Sequence, residues 1–241
     1  MHSLRMNPDE VHLWYVFSDR VTDRELLARY ESLMSPEERA RRDRFMQAKD
    51  RHQHVIARAL VRTTLSRYAE VPPEAWTFTP NRYGRPEICG PVETGLRFNL
   101  SHARGMVVCA VGWNREIGVD VEDVERPGEY VHLAQRFFAA SEAAHVASLP
   151  VDQQSNAFFE YWTLKESYIK ARGMGLALPL GDFAFRLEEP VTIAFSGSIT
   201  DDPTSWLFRR LRLSDQHKVA VAVRRGANEV RIIVRETTPL N

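Results

Sequence analysis

The chain has 241 residues, 44% of them hydrophobic and 27% charged, enough to bury a sizeable core as one large domain or two small ones. Its 32 basic and 32 acidic side chains cancel, so no net field draws it to nucleic acid or to an anionic membrane, and any affinity for anions has to be local. No apolar run reaches the roughly 18 residues of a spanning helix. The opening MHSLRMNPDE lacks the apolar stretch of a signal peptide, and Cys89 and Cys109 are not in metal-binding spacing, so a cytoplasmic protein with reduced thiols is expected.

Residues 11–17 (VHLWYVF) are β-branched and aromatic and read as a strand. Thr22 with Glu25, and then Ser35-Pro36-Glu37-Glu38, carry helix-start signals: a capping hydroxyl, a first-turn proline and a glutamate that reaches back. The second of these helices bears Arg39, Arg41, Arg42 and Arg44, followed by Lys49, Arg51, His52 and His54. This densest basic region of a neutral chain is either an anion site or a solvated face paired with Glu37, Glu38, Asp43 and Asp50. A long helix over 51–69 follows, and Pro72-Pro73 stops it. From Trp76 the texture changes to strands and turns: WTFT, the turn NRYGRP, LRFNL, MVVCAVG and IGVDVE. Helices return at 130–138, at 141–149 and between Pro150 and Gly173, before strands at 183–187, 191–195, 206–213, 218–224 and 230–235.

This succession repeats. Ser35 and Ser141 each open a short helix, 106 residues apart; 51–69 then corresponds to 152–171, Trp76-Thr77-Phe78 to Phe183-Ala184-Phe185, and the alternating strand 107–111 to 219–223. The expected fold is therefore α+β, built from two similar pseudo-repeated halves, 1–113 and 114–241, with a single mixed domain as the alternative.

The helix ending at Gly173 contains AFFEYWTLKESYIKARG. On it Ala157, Tyr161, Leu164, Tyr168 and Ala171 form one apolar stripe, and Phe159, Trp162, Glu166 and Lys170 another, so both faces are expected to be covered. Glu166 and Lys170 share one wall, with Lys165 on its flank; the plainer reading is a surface ion pair worth a few tenths of a kcal/mol. In the strand IGVDVE, Asp120 and Glu122 lie two apart and face the same way, where they repel unless a cation sits between them. With Glu166 they make a three-carboxylate nest suited to Mg²⁺, against the alternative of a solvated strand end. Ser101 and His102 end a strand at the rim; adjacent residues on an extended chain point apart, so they suit phosphate donors better than a nucleophile and base.

FNLSH at 98–102, GVDVE at 118–122 and WTLKESYIK at 162–170, with 45 residues between Asp120 and Lys165, resemble the broad-specificity 4′-phosphopantetheinyl transferases of the surfactin-synthetase-activating type. The resemblance runs from the first strand through LSDQHKVAVAV. It implies a monomer of two pseudo-repeated α+β halves with coenzyme A in the cleft between them, and a Mg²⁺-dependent transfer of 4′-phosphopantetheine to a serine of an apo acyl or peptidyl carrier protein. It implies that Asp120, Glu122 and Glu166 hold Mg²⁺, that Glu166 also takes the serine proton, and that Lys165 and Lys170 neutralise the pyrophosphate and the departing adenosine 3′,5′-bisphosphate. Arg41, Arg85, Ser101 and His102 match the family's contacts to the nucleotide phosphates, and 129–148 the carrier-docking region, with Phe137-Phe138 either exposed there or part of the core. Where relatives often carry a second basic residue one turn before Arg41, this chain has Glu38, which loosens the 3′-phosphate grip on this side unless Arg42, Arg44 or His54 substitutes. A Mg²⁺-dependent phosphohydrolase and an inactive carrier-binding module are the competing readings.

Overall fold

The computed structural model describes residues 4–197 and 199–240. In chain order the elements are β1 (Glu10–Phe17), α1 (Arg24–Ser32), α2 (Pro36–Asp43), α3 (Ala48–Ser66), β2 (Thr77–Pro80), β3 (Pro86–Gly90), β4 (Leu96–Ala103) and β5 (Met106–Trp113). They continue with β6 (Ile117–Asp123), α4 (Tyr130–Phe137), α5 (Ala140–Ser148), α6 (Val151–Arg172), β7 (Phe183–Arg186), β8 (Thr192–Phe195), β9 (Trp206–Leu211), β10 (His217–Arg224) and β11 (Arg231–Glu236). The α+β class expected from the sequence is the class found. The chain divides into two compact units, Met1–Asn81 with Pro86–Arg115 and Arg231–Asn241, and Arg82–Arg85 with Glu116–Val230.

In the first unit the sheet order is β11-β1-β5-β4, antiparallel except that β11 runs parallel to β1. Helix α3 buries Val55, Ile56, Ala59 and Leu60 in a core that includes Trp14, Phe98 and Val111. Its start and end lie three residues before the predicted 51–69, the chain leaving through tighter bonds from Arg67 N to Thr64 O and Tyr68 N to Leu65 O. Helix α1 is capped by Asp23 instead of Thr22: the carboxylate accepts from the amides of Glu25 and Leu26, and a full negative charge there also meets the positive end of the helix dipole. The predicted capping box at α2 is present, with Glu38 N on Ser35 Oγ at 3.2 Å and Ser35 N on Glu38 Oε2 at 3.0 Å.

The second unit has a sheet ordered β6-β10-β9 and a separate hairpin, β7-β8. Part of its connectivity repeats that of the first: β6 pairs antiparallel with β10, which carries β9 on its other side, as β1 pairs antiparallel with β5, which carries β4. Helix α6 ends at Gly173, whose φ of 62° is the left-handed conformation that glycine adopts without a Cβ penalty. Ala157, Tyr161, Leu164, Tyr168 and Ala171 are all in the unit's core, with Phe183, Trp206 and Phe208. Phe138 is buried in that core and Phe137 packs against its margin.

Candidate active site

Strand β6 and helix α6 run antiparallel and in contact. An added Cβ at Gly118 would stand 1.9 Å from Ser167 O and 2.4 Å from Ala171 N, so only glycine lets the backbones approach this closely. From that contact two residues along the strand advance about 6.6 Å, close to the helix pitch of about 5.4 Å. Asp120 and Glu122 meet the helix at Lys170 and Trp162, about two turns apart, so the longer side chains span the difference and Glu166 lies on the turn between. Lys170 Nζ donates to Asp120 Oδ1 at 2.6 Å, and one strand step on, Trp162 Nε1 donates to Glu122 Oε1 at 3.0 Å. The two carboxylates are thus covered by α6, with Asp120 only 4% exposed, and do not end a solvated strand.

The charge of Asp120 raises the two glutamates beside it. Burial, then the charge of Asp120, pushes Glu122 up to about 7, against the lowering pull of Arg126, Lys170 and the Trp162 N–H. Burial and Asp120 also push Glu166 upward, opposed by Lys170. Among the described residues no three or more His, Cys, Asp or Glu side chains are arranged as a metal-binding group. The chemistry of the donor set nonetheless fits Mg²⁺: all donors are hard oxygens, and two of the three carboxyls are held above their usual range by burial and then by the charge of Asp120, both of which a cation would offset.

The other sequence-selected residues are placed as follows. Lys165 is fully buried, and its ammonium is spent on Glu142 Oε2 at 2.7 Å, Leu180 O at 2.8 Å and Phe183 O at 2.6 Å. Glu142 in turn accepts from the amides of Ala139 and Phe185. Burial alone pushes Lys165 down and Glu142 up, and the ion pair with its full set of partners opposes both shifts. Lys165 is therefore a core residue in this structure and not a neighbour of Asp120 and Lys170. Arg85 does reach the site helix: its Nη1 donates to the carbonyls of Lys170 and Ala171 at 2.9 and 3.0 Å, bracing the C-terminal end of α6.

Arg41, Ser101 and His102 belong to the first unit. Arg41 is exposed in the last turn of α2; on β4, Ser101 is buried and His102 exposed, so the serine is not at the rim. Most of the basic run is engaged within the protein. Arg42 pairs with Glu31 and Asp43, Arg51 donates to the carbonyls of Phe45 and Met46, and His52 bonds to Ser18 O. Glu38 holds the buried Arg62 through two bonds of 2.8 and 3.0 Å. His54 is pushed down to about 4 by burial and then by Arg58 and Arg41, so at neutral pH it brings no charge to a phosphate. The sequence reading overlooked three residues: Gly118 as a packing glycine, Trp162 as a partner of Glu122, and Glu142 as the counter-ion of Lys165. Only the first left a signal, the glycine opening GVDVE, with the small residues Ser167 and Ala171 one turn apart on the helix that meets it.

Two family models match successive parts of the chain, the 4′-phosphopantetheinyl transferase N-terminal model over residues 21–114 and the 4′-phosphopantetheinyl transferase superfamily model over 116–222. The 4′-phosphopantetheinyl transferase Sfp of Bacillus subtilis is 30% identical over 87% of this chain and 90% of its own. The chain belongs to the 4′-phosphopantetheinyl transferase superfamily. The transferase HetI of Nostoc is 37% identical, over 73% of each chain. Among solved structures, the holo-[acyl-carrier-protein] synthase of Thermotoga maritima covers 48% of this transferase and 64% of its own chain, at a TM-score of 0.37 and 22% identity. No helix of the described residues is long and apolar enough to cross a membrane, and both cysteines of this transferase are free, Cys89 exposed and Cys109 buried.

Proposed function

We propose that this transferase moves the 4′-phosphopantetheine group of coenzyme A to a serine of an apo acyl or peptidyl carrier protein, with Asp120, Glu122, Glu166 and Lys170 as its catalytic centre. The observation that carries the assignment is the register of β6 against α6, which sets three carboxyls and one ammonium on a single covered wall. In the reaction the serine oxygen bonds to the phosphorus next to pantetheine, the bridging P–O bond of the pyrophosphate breaks, and adenosine 3′,5′-bisphosphate leaves. Glu166, held upward by burial and Asp120, takes the serine proton. Lys170 faces the charge that develops on the leaving group. Asp120, Glu122 and Glu166 would hold Mg²⁺, which when bound neutralises pyrophosphate oxygens as a Lewis acid.

Arg41, Arg85, Ser101 and His102 are assigned to the phosphates of coenzyme A on motif resemblance, and residues 129–148 to carrier docking on the same ground. Lys165 is assigned to holding the helix, in place of a phosphate contact. We place the protein in the cytoplasm, as a monomer. Incubation with coenzyme A, Mg²⁺ and an apo-carrier tests the reading: the carrier gains the mass of phosphopantetheine. Cleavage of coenzyme A without that gain would identify a hydrolase, and carrier binding without cleavage an inactive module.

A further inference from the structure

The indole of Trp162 stands one helical turn before Glu166 and is clamped on several sides. It stacks on Phe158 with centroids 5.6 Å apart and planes at 22°, while Phe138 and Phe137 approach at 6.2 and 6.5 Å. A ring held in this way has little freedom to turn, and its one polar atom is aimed at Glu122 Oε1, 3.0 Å away. Indole N–H is a donor only, so the bond has one direction. The other oxygen, Oε2, has Arg126 at 3.6 Å, on a side chain that is 53% exposed. Asp120 is treated differently, since it receives the ammonium of Lys170 at 2.6 Å. A cation on a carboxylate competes with a metal ion for its charge. At Glu122 the close donor is neutral and the cation stands farther off, Arg126 at 3.6 Å on an exposed side chain, against 2.6 Å for Lys170 on Asp120.

We propose that Trp162 is a positioning residue for Glu122: by holding Oε1 from the aromatic cluster, it fixes the orientation in which this carboxylate would meet a divalent cation. The inference rests on the reading of Glu122 as a ligand. Outer donors of this kind set the orientation of a carboxylate ligand, and their loss costs about 10- to 100-fold in metal affinity.

Trp162→Phe keeps an aromatic ring against Phe158 and removes the N–H. With coenzyme A present, calorimetric titration of Mn²⁺ into this variant is expected to show an affinity about 10- to 100-fold below that of the unaltered protein. Coenzyme A affinity measured without metal, and the thermal midpoint, are expected to stay close to the original. An unchanged Mn²⁺ affinity overturns the proposal, and so does an equal loss of Mn²⁺ and coenzyme A affinity, which marks a packing role. Should the variant not fold, the unaltered protein carries the test. The indole ¹⁵N–¹H resonance of Trp162 must move when Mg²⁺ is added to the coenzyme A complex, and a stationary signal overturns the proposal. If the unaltered protein transfers no phosphopantetheine and binds no Mn²⁺ with coenzyme A, the reading of Glu122 as a ligand fails, and this inference with it. Transfer by the unaltered protein with unchanged Mn²⁺ binding by Trp162→Phe removes the inference alone.

Discussion

Lys170 Nζ lies 2.6 Å from Asp120 Oδ1, so the cation of the WTLKESYIK helix is tied to the first acid of GVDVE. The pair joins residues 50 positions apart in the chain. Because Asp120 also raises both Glu122 and Glu166, Lys170 tempers the charge of the whole wall.

Removing that ammonium should slow transfer more than it weakens substrate binding. Lys170→Ala is expected to lower kcat by about 10²-fold, the usual cost of losing one group that stabilises developing charge. Mn²⁺ binding with coenzyme A should be retained. A KM effect on coenzyme A with kcat unchanged would show that Lys170 holds the ground state only.

Glu166→Gln keeps the side chain's shape and removes its capacity to take a proton. Transfer should fall by at least about 10²-fold at saturating coenzyme A, Mg²⁺ and apo-carrier. Coenzyme A binding, read by calorimetry, should survive. Transfer near the original rate would move the base role to another carboxylate or to water.

Lys165→Met leaves Glu142 buried without its counter-ion and should cost about 3–5 kcal/mol in denaturant unfolding. The double change Lys165→Met with Glu142→Leu should recover much of that loss. Where enough folded protein remains, KM for coenzyme A should stay near the original. A stable Lys165→Met protein with a raised KM would return Lys165 to the phosphates.

Gly118→Ala forces a methyl group against Ser167 O and Ala171 N. Overpacking of this kind costs about 1–3 kcal/mol. The helix must also shift from the strand, so Mn²⁺ binding with coenzyme A should weaken along with the thermal midpoint. An alanine variant with both unchanged would mean that the contact is looser than the structure shows.

His54 has a folded-state pKa lowered from 6.5 to about 4, so between those values the unfolded chain binds the proton that the folded chain refuses. Its contribution is present above pH 6.5 and is lost as pH falls toward 4. Urea unfolding at pH 7 and pH 5 should therefore show a smaller acid loss in His54→Gln than in the unaltered protein. Equal losses would show that other groups carry the acid sensitivity.

Much of this protein was legible in its sequence because the signals are local. Cap chemistry at Ser35, the left-handed stop at Gly173 and the two-residue spacing of Asp120 and Glu122 each depend on a few neighbours along the chain. Order and separation of FNLSH, GVDVE and WTLKESYIK were enough to indicate the family and its reaction. Period alone did not separate Thr22 from Asp23 as a cap, because both offer an acceptor and only the backbone conformation selects one.

What tertiary structure decided is where each charge goes. Lys165 and Lys170 are five residues apart on one helix, yet one is closed into the core by Glu142 and two carbonyls while the other meets Asp120. Nothing in the chemistry of two lysines distinguishes them; the elements packed against each side of α6 do. The same holds for Glu38, committed to Arg62, for the parallel pairing of β11 with β1, and for the indole of Trp162 on Glu122. Sequence determined which residues share a face, since that follows from helical and strand periodicity; partners on the facing element follow from packing distance and register, which exist only once the chain has folded.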